Sequence, residues 1–403
     1  MYTVRKVTDD LYWVGGNDHR HVMYESARSV PGGVSNNAYL LMDEKNVLFN
    51  TVDWSVSREL IRNIEHILEG NPLDYIVINH SKPLNACSIE EIVLRYPNVK
   101  IISNDKTFIK MRKSGISVEG RADEVMEGDF RCFGRHTFTF IADPMINWPD
   151  AMAAFDFTNA ILFSSDSFGS FGAMDSKPLD DGVDFHRDWV EDVRLYLNNI
   201  VGKCEPFVQS TLNKDSDIDI KIICPLHGPV WRSDFGYIDD KYDNCGRYEP
   251  EEKGVMIVYA SIYGNTEHTA HALASRLYKK GLTNVVVNDV SKTHVSNLIS
   301  ETLRLSHIVL ASVPYSLGIY PPMHNYLMDM KALNLQNRTF AIVESGAWAP
   351  GSGNLMREFL KKEMKRMTVL DETMTVTPSV SLRDINEPGL DVMADSIIES
   401  IMN

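Results

Sequence analysis

The 403-residue sequence lacks any run of about 18 consecutive apolar residues, so a membrane-spanning helix is not expected. Its first residues, MYTVRKVTDDLYWVGG, lack the apolar segment and small cleavage-site residues of a secretory signal, so we expect a cytoplasmic protein. Basic residues are also in deficit. Lys and Arg number 40 against 55 Asp and Glu, and the net charge of −15 argues against binding to nucleic acid or to an anionic membrane surface.

Cysteine is scarce as well: the sequence has five, widely spaced, and no Cys-x-x-Cys motif. The odd number argues against a disulfide framework, and the missing motif argues against a structural zinc or iron–sulfur site. We therefore expect free thiols in a reducing compartment, most of them buried as small hydrophobic side chains. They are Cys87, Cys132, Cys204, Cys224 and Cys245.

A polar, turn-rich stretch at 233–254 divides the sequence near residue 250. Before it, short strand-like runs alternate with helical segments, a pattern typical of an α/β layer structure. After it, five predicted strands are interleaved with helices, which indicates a doubly wound parallel sheet. The predicted strands are 255–261, 284–289, 307–313, 339–345 and 374–378, and the predicted helices 266–281, 294–304, 323–333, 354–367 and the last fifteen or so residues.

The loop after the first of these strands has the composition of a phosphate-binding loop. Its sequence is Ser261-Ile262-Tyr263-Gly264-Asn265-Thr266, and a helix follows. Small hydroxyl residues and glycine at a helix N-terminus offer backbone N–H groups, hydroxyl donors and a partial positive charge to an anion. An ordinary helix cap at Thr266 is the alternative.

Two later loops, each following a predicted strand, combine an aromatic residue with Gly, Pro and Ser. They are 312–318, with Tyr315, and 345–353, with Trp348. A flat ring needs stacking faces and exposed backbone amides, and both loops can supply them. In a doubly wound sheet, ligands bind at the carboxyl ends of the strands, where these loops are expected to lie. The alternative is that the aromatic residues only cap the edge of the sheet.

The strings YASIYGNTE, GIYPPM and SGAWAPGSGNLM resemble the flavodoxin half of the flavodiiron proteins, also called A-type flavoproteins. The resemblance covers essentially the whole chain. It implies a metallo-β-lactamase-like αββα sandwich over residues 1–250 and a flavodoxin-like doubly wound parallel sheet over 251–403 that binds FMN. The residues implied to hold FMN are Ser261, Tyr263, Gly264, Asn265, Thr266, Pro314, Tyr315, Ser316, Leu317, Gly318, Ser345, Gly346, Ala347, Trp348 and Gly353.

The resemblance also implies a non-haem diiron site in the first domain, whose ligand positions can be located by local sequence context. His80, Asp166 and His227 keep the ligand residue types of the family. The positions where the family has Glu, Asp, His and His hold instead Lys82, Leu84, Asn85 and Asn147.

These substitutions remove the charge that would hold two divalent ions. An ammonium about 4 Å from a divalent ion, at an effective dielectric constant of ~20, would cost on the order of 8 kcal/mol. We therefore expect no normal diiron centre, and we expect Lys82 to pair with Asp166 in place of a metal ion. The pocket could also attract a small anion, and a single ion held by His80, Asp166 and His227 is the competing hypothesis.

In the family, electrons pass through FMN to the diiron site, where O2 is reduced to water or NO to N2O, within a head-to-tail dimer. No rubredoxin-type Cys-x-x-Cys tail occurs here, so we expect an external donor of the rubredoxin or flavin/NADH reductase type. Three functions remain open. The first is an FMN electron-transfer protein without diiron chemistry. The second is an O2 or NO reductase with an altered metal set. The third is a non-catalytic partner of an intact paralogue.

Overall fold

The computed structural model describes residues 2–143, 147–174, 177–201, 219–233, 236–345, 351–370 and 387–403, with the backbone alone at 83–87, 185–186, 237, 239, 245 and 387. The chain divides into two compact units, Met1–Tyr242 and Asp243–Asn403. No helix among these described residues is long and apolar enough to cross a membrane. Of the cysteines whose side chains are described, Cys132 is exposed and Cys224 is buried, both as free thiols.

Short strands dominate the first unit. They are β1 (Arg5–Lys6), β2 (Leu11–Trp13), β3 (Gly16–Asp18), β4 (Met23–Tyr24), β5 (Arg28–Ser29), β6 (Val34–Asn36), β7 (Tyr39–Leu41), β8 (Val47–Phe49), β9 (Tyr75–Val77), β10 (Lys100–Ser103), β11 (Ala122–Glu124), β12 (Phe130–Cys132), β13 (Thr137–Ala142), β14 (Met152–Asp156), β15 (Ile161–Phe163) and β16 (Ile222–Ile223).

Helices lie between these strands along the chain. They are α1 (Ser57–Leu68), α2 (Pro83–Arg95), α3 (Asp105–Lys113), α4 (Phe185–Asp188), α5 (Val190–Tyr196) and α6 (Gly236–Gly246). Short 3₁₀ turns form at Trp54–Val56 and Asp180–Gly182, and a π-helical turn at Leu197–Val201.

Two sheets share one core in this unit. The first has the strand order β1-β2-β7-β8-β9-β10-β11, and the second has the order β12-β13-β14-β15-β16. Side chains alternate along the strands, so Tyr39 and Phe49 pack between the sheets, whereas Leu40 and Leu48 pack in a separate core with residues of α1 and α3. Both faces of the first sheet are therefore buried, which explains its continuous apolar runs.

The second unit is built on a five-stranded parallel sheet with the order β18-β17-β19-β22-β23. Its strands and hairpin are β17 (Glu252–Ala260), β18 (Val285–Asp289), β19 (Leu305–Ser312), β20 (Pro314–Tyr315), β21 (Gly318–Ile319), β22 (Arg338–Glu344) and β23 (Met367–Val369). Its helices are α7 (Asn265–Lys279), α8 (Val295–Arg304), α9 (Pro321–Ala332), α10 (Ser352–Glu363) and α11 (Glu387–Met402). Apolar cores lie on both faces of the sheet.

The fold class predicted from the sequence is confirmed, with one local correction. The predicted helix 354–367 is too long, because α10 ends at Glu363 and residues Met367–Val369 form the edge strand β23. Met364 and Met367 continue the apolar spacing of the helix, but they pack on the core from an extended segment. The strand predicted at 374–378 lies outside the described residues.

A buried arginine, Arg338, connects the start of β22 with the last turn of α8 and with Tyr248, which precedes β17. The guanidinium of Arg338 donates hydrogen bonds to the carbonyl oxygens of Thr302 (2.7 Å), Leu303 (2.5 Å) and Tyr248 (2.7 Å). Thr302 and Leu303 lie in the last turn of α8, where free carbonyl groups favour a positive charge. Arg338 is 2% exposed, so these bonds are shielded from water.

Candidate functional site

The first predicted FMN loop connects β17 to α7. Gly264 precedes the helix with φ +88°, a left-handed conformation that favours glycine, and its N–H donates to Ser261 Oγ (3.0 Å). Thr266, in the first turn of α7, is fully buried, and its hydroxyl has no hydrogen-bond partner among the described residues. A buried hydroxyl without a partner is costly, and a helix N-terminus favours anions, so the loop fits a phosphate group.

The second loop is the tight hairpin β20–β21. Ser316 and Leu317 form its turn with φ +49° and +63°, although neither is the glycine or asparagine that such a turn favours. This strained turn presents the Leu317 side chain at 83% exposure, and Tyr315 beside it is half exposed. Tyr315 also meets Tyr320 edge to face, with ring centroids 6.1 Å apart. Strain and exposed apolar groups together are typical of a ligand-binding loop.

The third loop is closed at its base by hydrogen bonds to β19 and β22. The carbonyl oxygen of Ser312 accepts from the Ser345 N–H (3.0 Å) and from the Ser352 hydroxyl (3.0 Å). Glu344 Oε2 accepts from the Gly353 N–H (2.9 Å), and a Cβ on Gly353 would lie 2.7 Å from this oxygen. The predicted ring contacts Gly346, Ala347 and Trp348 lie outside the described residues.

The three loops leave neighbouring strands at the same edge of the sheet. Ala260, Ser312 and Glu344, at the ends of β17, β19 and β22, are paired in register. Because parallel strands end on one side, a single ligand can reach all three loops. In this site, sequence reasoning missed Glu344, although a charged residue at the end of an apolar strand, beside a predicted binding loop, was a usable signal.

The second candidate site lies in the first unit. Lys82 Nζ lies 3.3 Å from Asp166 Oδ1 and donates to the hydroxyl of Tyr24 at 2.8 Å. The Lys82 side chain is 6% exposed and the Asp166 side chain 1%. The pairing predicted between Lys82 and Asp166 is therefore confirmed, and Tyr24, from the hairpin β4–β5, is an additional partner.

The two retained histidines face different neighbours. His227 donates from Nδ1 to the Ser35 carbonyl oxygen (2.6 Å), so its Nε2 is free to accept from the Tyr24 hydroxyl at 3.3 Å. His80 Nδ1 contacts Ser165 Oγ (3.2 Å), and its Nε2, 3.6 Å from Asp166 Oδ2, has no hydrogen-bond partner among the described residues. The side chain of Tyr24 thus stands between Lys82 and His227.

Further hydrogen bonds hold Asp166 and the backbone at Ser81 in place. Asn147 donates to Asp166 Oδ2 (2.7 Å), and the Tyr196 hydroxyl donates to the Asp166 carbonyl oxygen (3.0 Å). Asp150 accepts from the backbone N–H of Ser81 (3.2 Å) and pairs with Lys110 (2.7 Å). The backbone between His80 and Lys82 is therefore fixed at Ser81 by a buried carboxylate.

The loop that carries Asp166 is strained. Ser165 and Phe168, in this loop, have φ +58° and +60°. Asn147, which bonds Asp166 from another segment, has φ +62°. The Phe168 N–H donates to the hydroxyl of Tyr242, and its carbonyl oxygen accepts from Trp231 Nε1 (2.7 Å). Left-handed conformations at residues other than glycine persist where surrounding contacts enforce them, as is common at functional sites.

Electrostatics favour a neutral pair of histidines beside a charged pair. Burial lowers the pKa of His80 and of His227 to about 4, despite the nearby Asp166 carboxylate. Burial disfavours the charged forms of Lys82 and Asp166, but their mutual attraction outweighs it: the pKa of Lys82 is raised and that of Asp166 lies well below its usual range. Burial raises the pKa of Tyr24 to about 12. The pocket therefore has one positive and one negative charge.

These residues do not fit a pair of iron ions. Among the residues that the structure describes, no group of three or more His, Cys, Asp or Glu side chains could hold a metal ion. Asp166 is already engaged by Lys82 and Asn147, and His227 by Tyr24. With Lys82 already balanced by Asp166, the described groups also provide no net positive charge for an anion. The side chains of Leu84 and Asn85 lie outside the described part.

Comparisons with known proteins point to one group. Residues 34–228 match the family model described as "ODP family beta lactamase". The chain is 29% identical over 361 residues to a nitric oxide reductase of Moorella thermoacetica. This alignment covers 88% of this chain and 89% of that protein.

Two solved structures are similar over almost their whole length. The flavodiiron protein of Giardia intestinalis superposes with a TM-score of 0.90 at 21% identity, covering 99% of this chain and 98% of that one. The rubredoxin oxygen:oxidoreductase of Desulfovibrio gigas superposes with a TM-score of 0.87 at 26% identity and the same coverage.

Proposed function

Because the chain is related to the flavodiiron proteins and has their fold, we propose that it is an FMN-containing redox protein. It transfers electrons through the flavin and does not assemble a diiron centre. The flavin is held at the carboxyl end of the second unit's sheet, by the three loops after β17, β19 and β22. As a redox protein it falls in the oxidoreductase class, with its chemistry confined to the flavin.

The observation that carries FMN binding is the buried, unpartnered hydroxyl of Thr266 at the start of α7. Together with the left-handed Gly264 it provides what a phosphate monoester needs: a hydroxyl donor, backbone N–H groups and the positive end of a helix. The half-exposed Tyr315 and the exposed Leu317 supply apolar surface for a flat ring on the same side of the sheet. Bound FMN would supply one- and two-electron redox chemistry there.

The absence of diiron chemistry is supported by the pair of Lys82 and Asp166. The carboxylate that would bridge two metal ions instead faces an ammonium at 3.3 Å. His227 Nε2 is occupied by the Tyr24 hydroxyl, whereas His80 Nε2 faces Asp166 Oδ2 at 3.6 Å. An O2 or NO reductase built on an altered set of metal ligands is therefore the weaker alternative, and so is a single ion held by all three retained residues.

Electrons must enter and leave through other molecules. We propose a soluble donor of the rubredoxin or flavin/NADH reductase type, since the similar Desulfovibrio gigas protein is named as an oxidoreductase of rubredoxin and oxygen. We also propose a head-to-tail homodimer and a cytoplasmic location, and no role for nucleic acid or membranes. A non-catalytic subunit paired with an intact paralogue remains the third candidate.

The test is to purify the protein without chelators, record its visible spectrum, measure iron, and follow NO and O2 consumption with a reductant. We expect yellow protein with one FMN per chain, little iron and negligible NO consumption. Rapid turnover of NO to N2O or of O2 to water, with two irons per chain, would establish the reductase instead. Colourless protein that does not take up added FMN would remove the proposal altogether, and a stable complex with a paralogue would favour the third candidate.

A further inference from the structure

We propose that Glu344 keeps the FMN of the second unit at a low reduction potential, because it places a fixed negative charge beside the flavin ring. This inference rests on the proposed function, in which the three loops after β17, β19 and β22 bind FMN. It adds that one side chain makes the reduced flavin a stronger electron donor.

The first observation is the position of Glu344 in the sheet. It is the last residue of β22 and pairs in register with Ser312, which pairs in turn with Ala260 at the end of β17. Ala260 directly precedes the predicted phosphate loop, so two strand spacings, roughly 10 Å, separate the start of that loop from Glu344. In FMN a five-carbon chain separates the phosphate from the ring. A phosphate bound by the first loop therefore leaves the ring within reach of the end of β22.

The second observation is that the carboxylate is fixed at the N-terminus of α10. Glu344 Oε2 accepts from the N–H of Gly353, the second residue of that helix, at 2.9 Å. A Cβ on Gly353 would lie 2.7 Å from Oε2 and 3.2 Å from the Cβ of Glu344, so the side chain lies flat against the first turn of the helix. The negative charge is therefore held at one place on the edge of the sheet.

The third observation concerns the charge that this helix end would otherwise offer. The N–H groups at the start of a helix act as roughly half a positive charge, which stabilises an anion nearby. Glu344 supplies a full negative charge at the same place, so these two groups together are negative. Two electrons and one proton convert FMN into an anionic reduced flavin, with the new charge on the ring. A negative site disfavours that product, and the reduction potential falls.

The N-terminus of α7 differs from that of α10. Its first turn contains the buried Thr266 hydroxyl, which has no partner among the described residues, and Gly264 precedes the helix. This end can therefore bind the phosphate, whereas the first turn of α10 is already bonded by a carboxylate of the chain itself. The electrons that reduce the flavin come from the donor of the rubredoxin or flavin/NADH reductase type proposed above.

The experiment measures the midpoint potential of four FMN-loaded proteins: wild type, Glu344→Gln, Glu344→Asp and Glu252→Gln. Glutamine keeps an oxygen that can accept from Gly353 and removes the charge, whereas aspartate keeps the charge. Glu252 is the matched control for net charge, because it begins β17, roughly 25 Å along the strand from the end that carries the loops. Dithionite supplies the electrons, reference dyes of known potential report the equilibrium, and flavin absorbance gives the reduced fraction.

We expect Glu344→Gln to shift the two-electron equilibrium at least tenfold toward reduced FMN, which is a rise of about 30 mV. Glu344→Asp and Glu252→Gln should stay within about threefold of wild type, because the first keeps the charge and the second removes one that lies several screening lengths away.

A Glu344→Gln potential that equals the wild-type value or lies below it would overturn the inference. An equal rise in Glu344→Asp or in Glu252→Gln would overturn it too, since the charge at this position would then not be the cause. Loss of FMN uptake by Glu344→Gln alone would also contradict it, because the carboxylate would then be needed to bind the flavin. Wild type that takes up no FMN would instead remove the proposed function, and this inference with it.

Discussion

The Nζ atom of Lys82 lies 3.3 Å from Oδ1 of Asp166 and 2.8 Å from the hydroxyl of Tyr24, out of contact with bulk water. A buried pair of this kind gains little over well-packed apolar residues, but removing one partner leaves an uncompensated charge. The pair therefore makes the first unit sensitive to single substitutions and tolerant of matched ones.

Lys82→Met in metal-free buffer should lower the free energy of unfolding of the first unit by about 3–5 kcal/mol, because it leaves Asp166 buried without its cation. Urea unfolding at pH 7, followed by circular dichroism, measures this change. Lys82→Met combined with Asp166→Asn should recover most of the loss, since no isolated charge remains. Equal losses in the single and double variants would mean that the pair contributes nothing beyond packing.

Thr266→Val should weaken FMN binding by about tenfold to a hundredfold, because it removes a hydroxyl donor to a charged phosphate. Riboflavin, which has no phosphate, should bind the variant as it binds wild type. Fluorescence titration of flavin-free protein with both compounds measures the two affinities. Thr269→Val is the matched control, since that hydroxyl already donates to the Asn265 carbonyl oxygen (2.9 Å) one turn further along α7.

Glu344→Ala should weaken FMN and riboflavin alike, by a factor of about ten, because the third loop loses a hydrogen bond worth about 1–1.5 kcal/mol at its base. Glu344→Gln keeps an oxygen that can accept from the Gly353 N–H and should bind both flavins nearly as well as wild type. The same titration distinguishes the variants. If Gln were as weak as Ala, the charge of Glu344 would matter and not its role as an acceptor.

Stability of the first unit should fall at alkaline pH because of His136. Its Nδ1 lies 2.8 Å from Asp156 and its Nε2 lies 3.0 Å from Asp10. Burial opposes the imidazolium, but the two carboxylates outweigh it and raise its pKa to about 9. The resulting stabilisation is fully present below about pH 6.5, declines above it and is lost once the pH passes 9.

This contribution should be on the order of 1–2 kcal/mol, because solvent screening weakens the attraction of the two carboxylates for the imidazolium. Urea unfolding between pH 6 and 9.5 measures it, and the slope should flatten in His136→Gln. A wild-type profile that stays level across this range would show that His136 is neutral in the folded protein.

The sequence allowed the sheet of the second unit to be predicted almost to its edges. Its central strands are continuous apolar runs covered on both faces, so their pattern does not depend on distant contacts. The edge was predicted less well. Met364 and Met367 fit the spacing of a helix, and only packing against the core decides that the second of them belongs to β23.

Some residues of the two candidate sites could be predicted from local sequence, and others could not. The hydroxyl and glycine of the first loop lie within a few residues of one another, and their chemistry could be predicted from local sequence. The pairing of Lys82 with Asp166 could be predicted because both occupy recognisable ligand positions. Tyr24 could not, since it reaches Lys82 from a hairpin 58 residues earlier in the chain, and no local pattern marks it.

The hydrogen bonds of the buried Arg338 guanidinium also limit where a separately expressed second unit can begin. One of its bonds goes to the carbonyl of Tyr248, ahead of the first strand of the sheet. A fragment that starts at β17 would lose this acceptor, and also the buried Tyr248 ring that packs in the core on one face of the sheet. Separate expression of the second unit should therefore begin upstream of residue 248, at or before Asp243, where that unit begins.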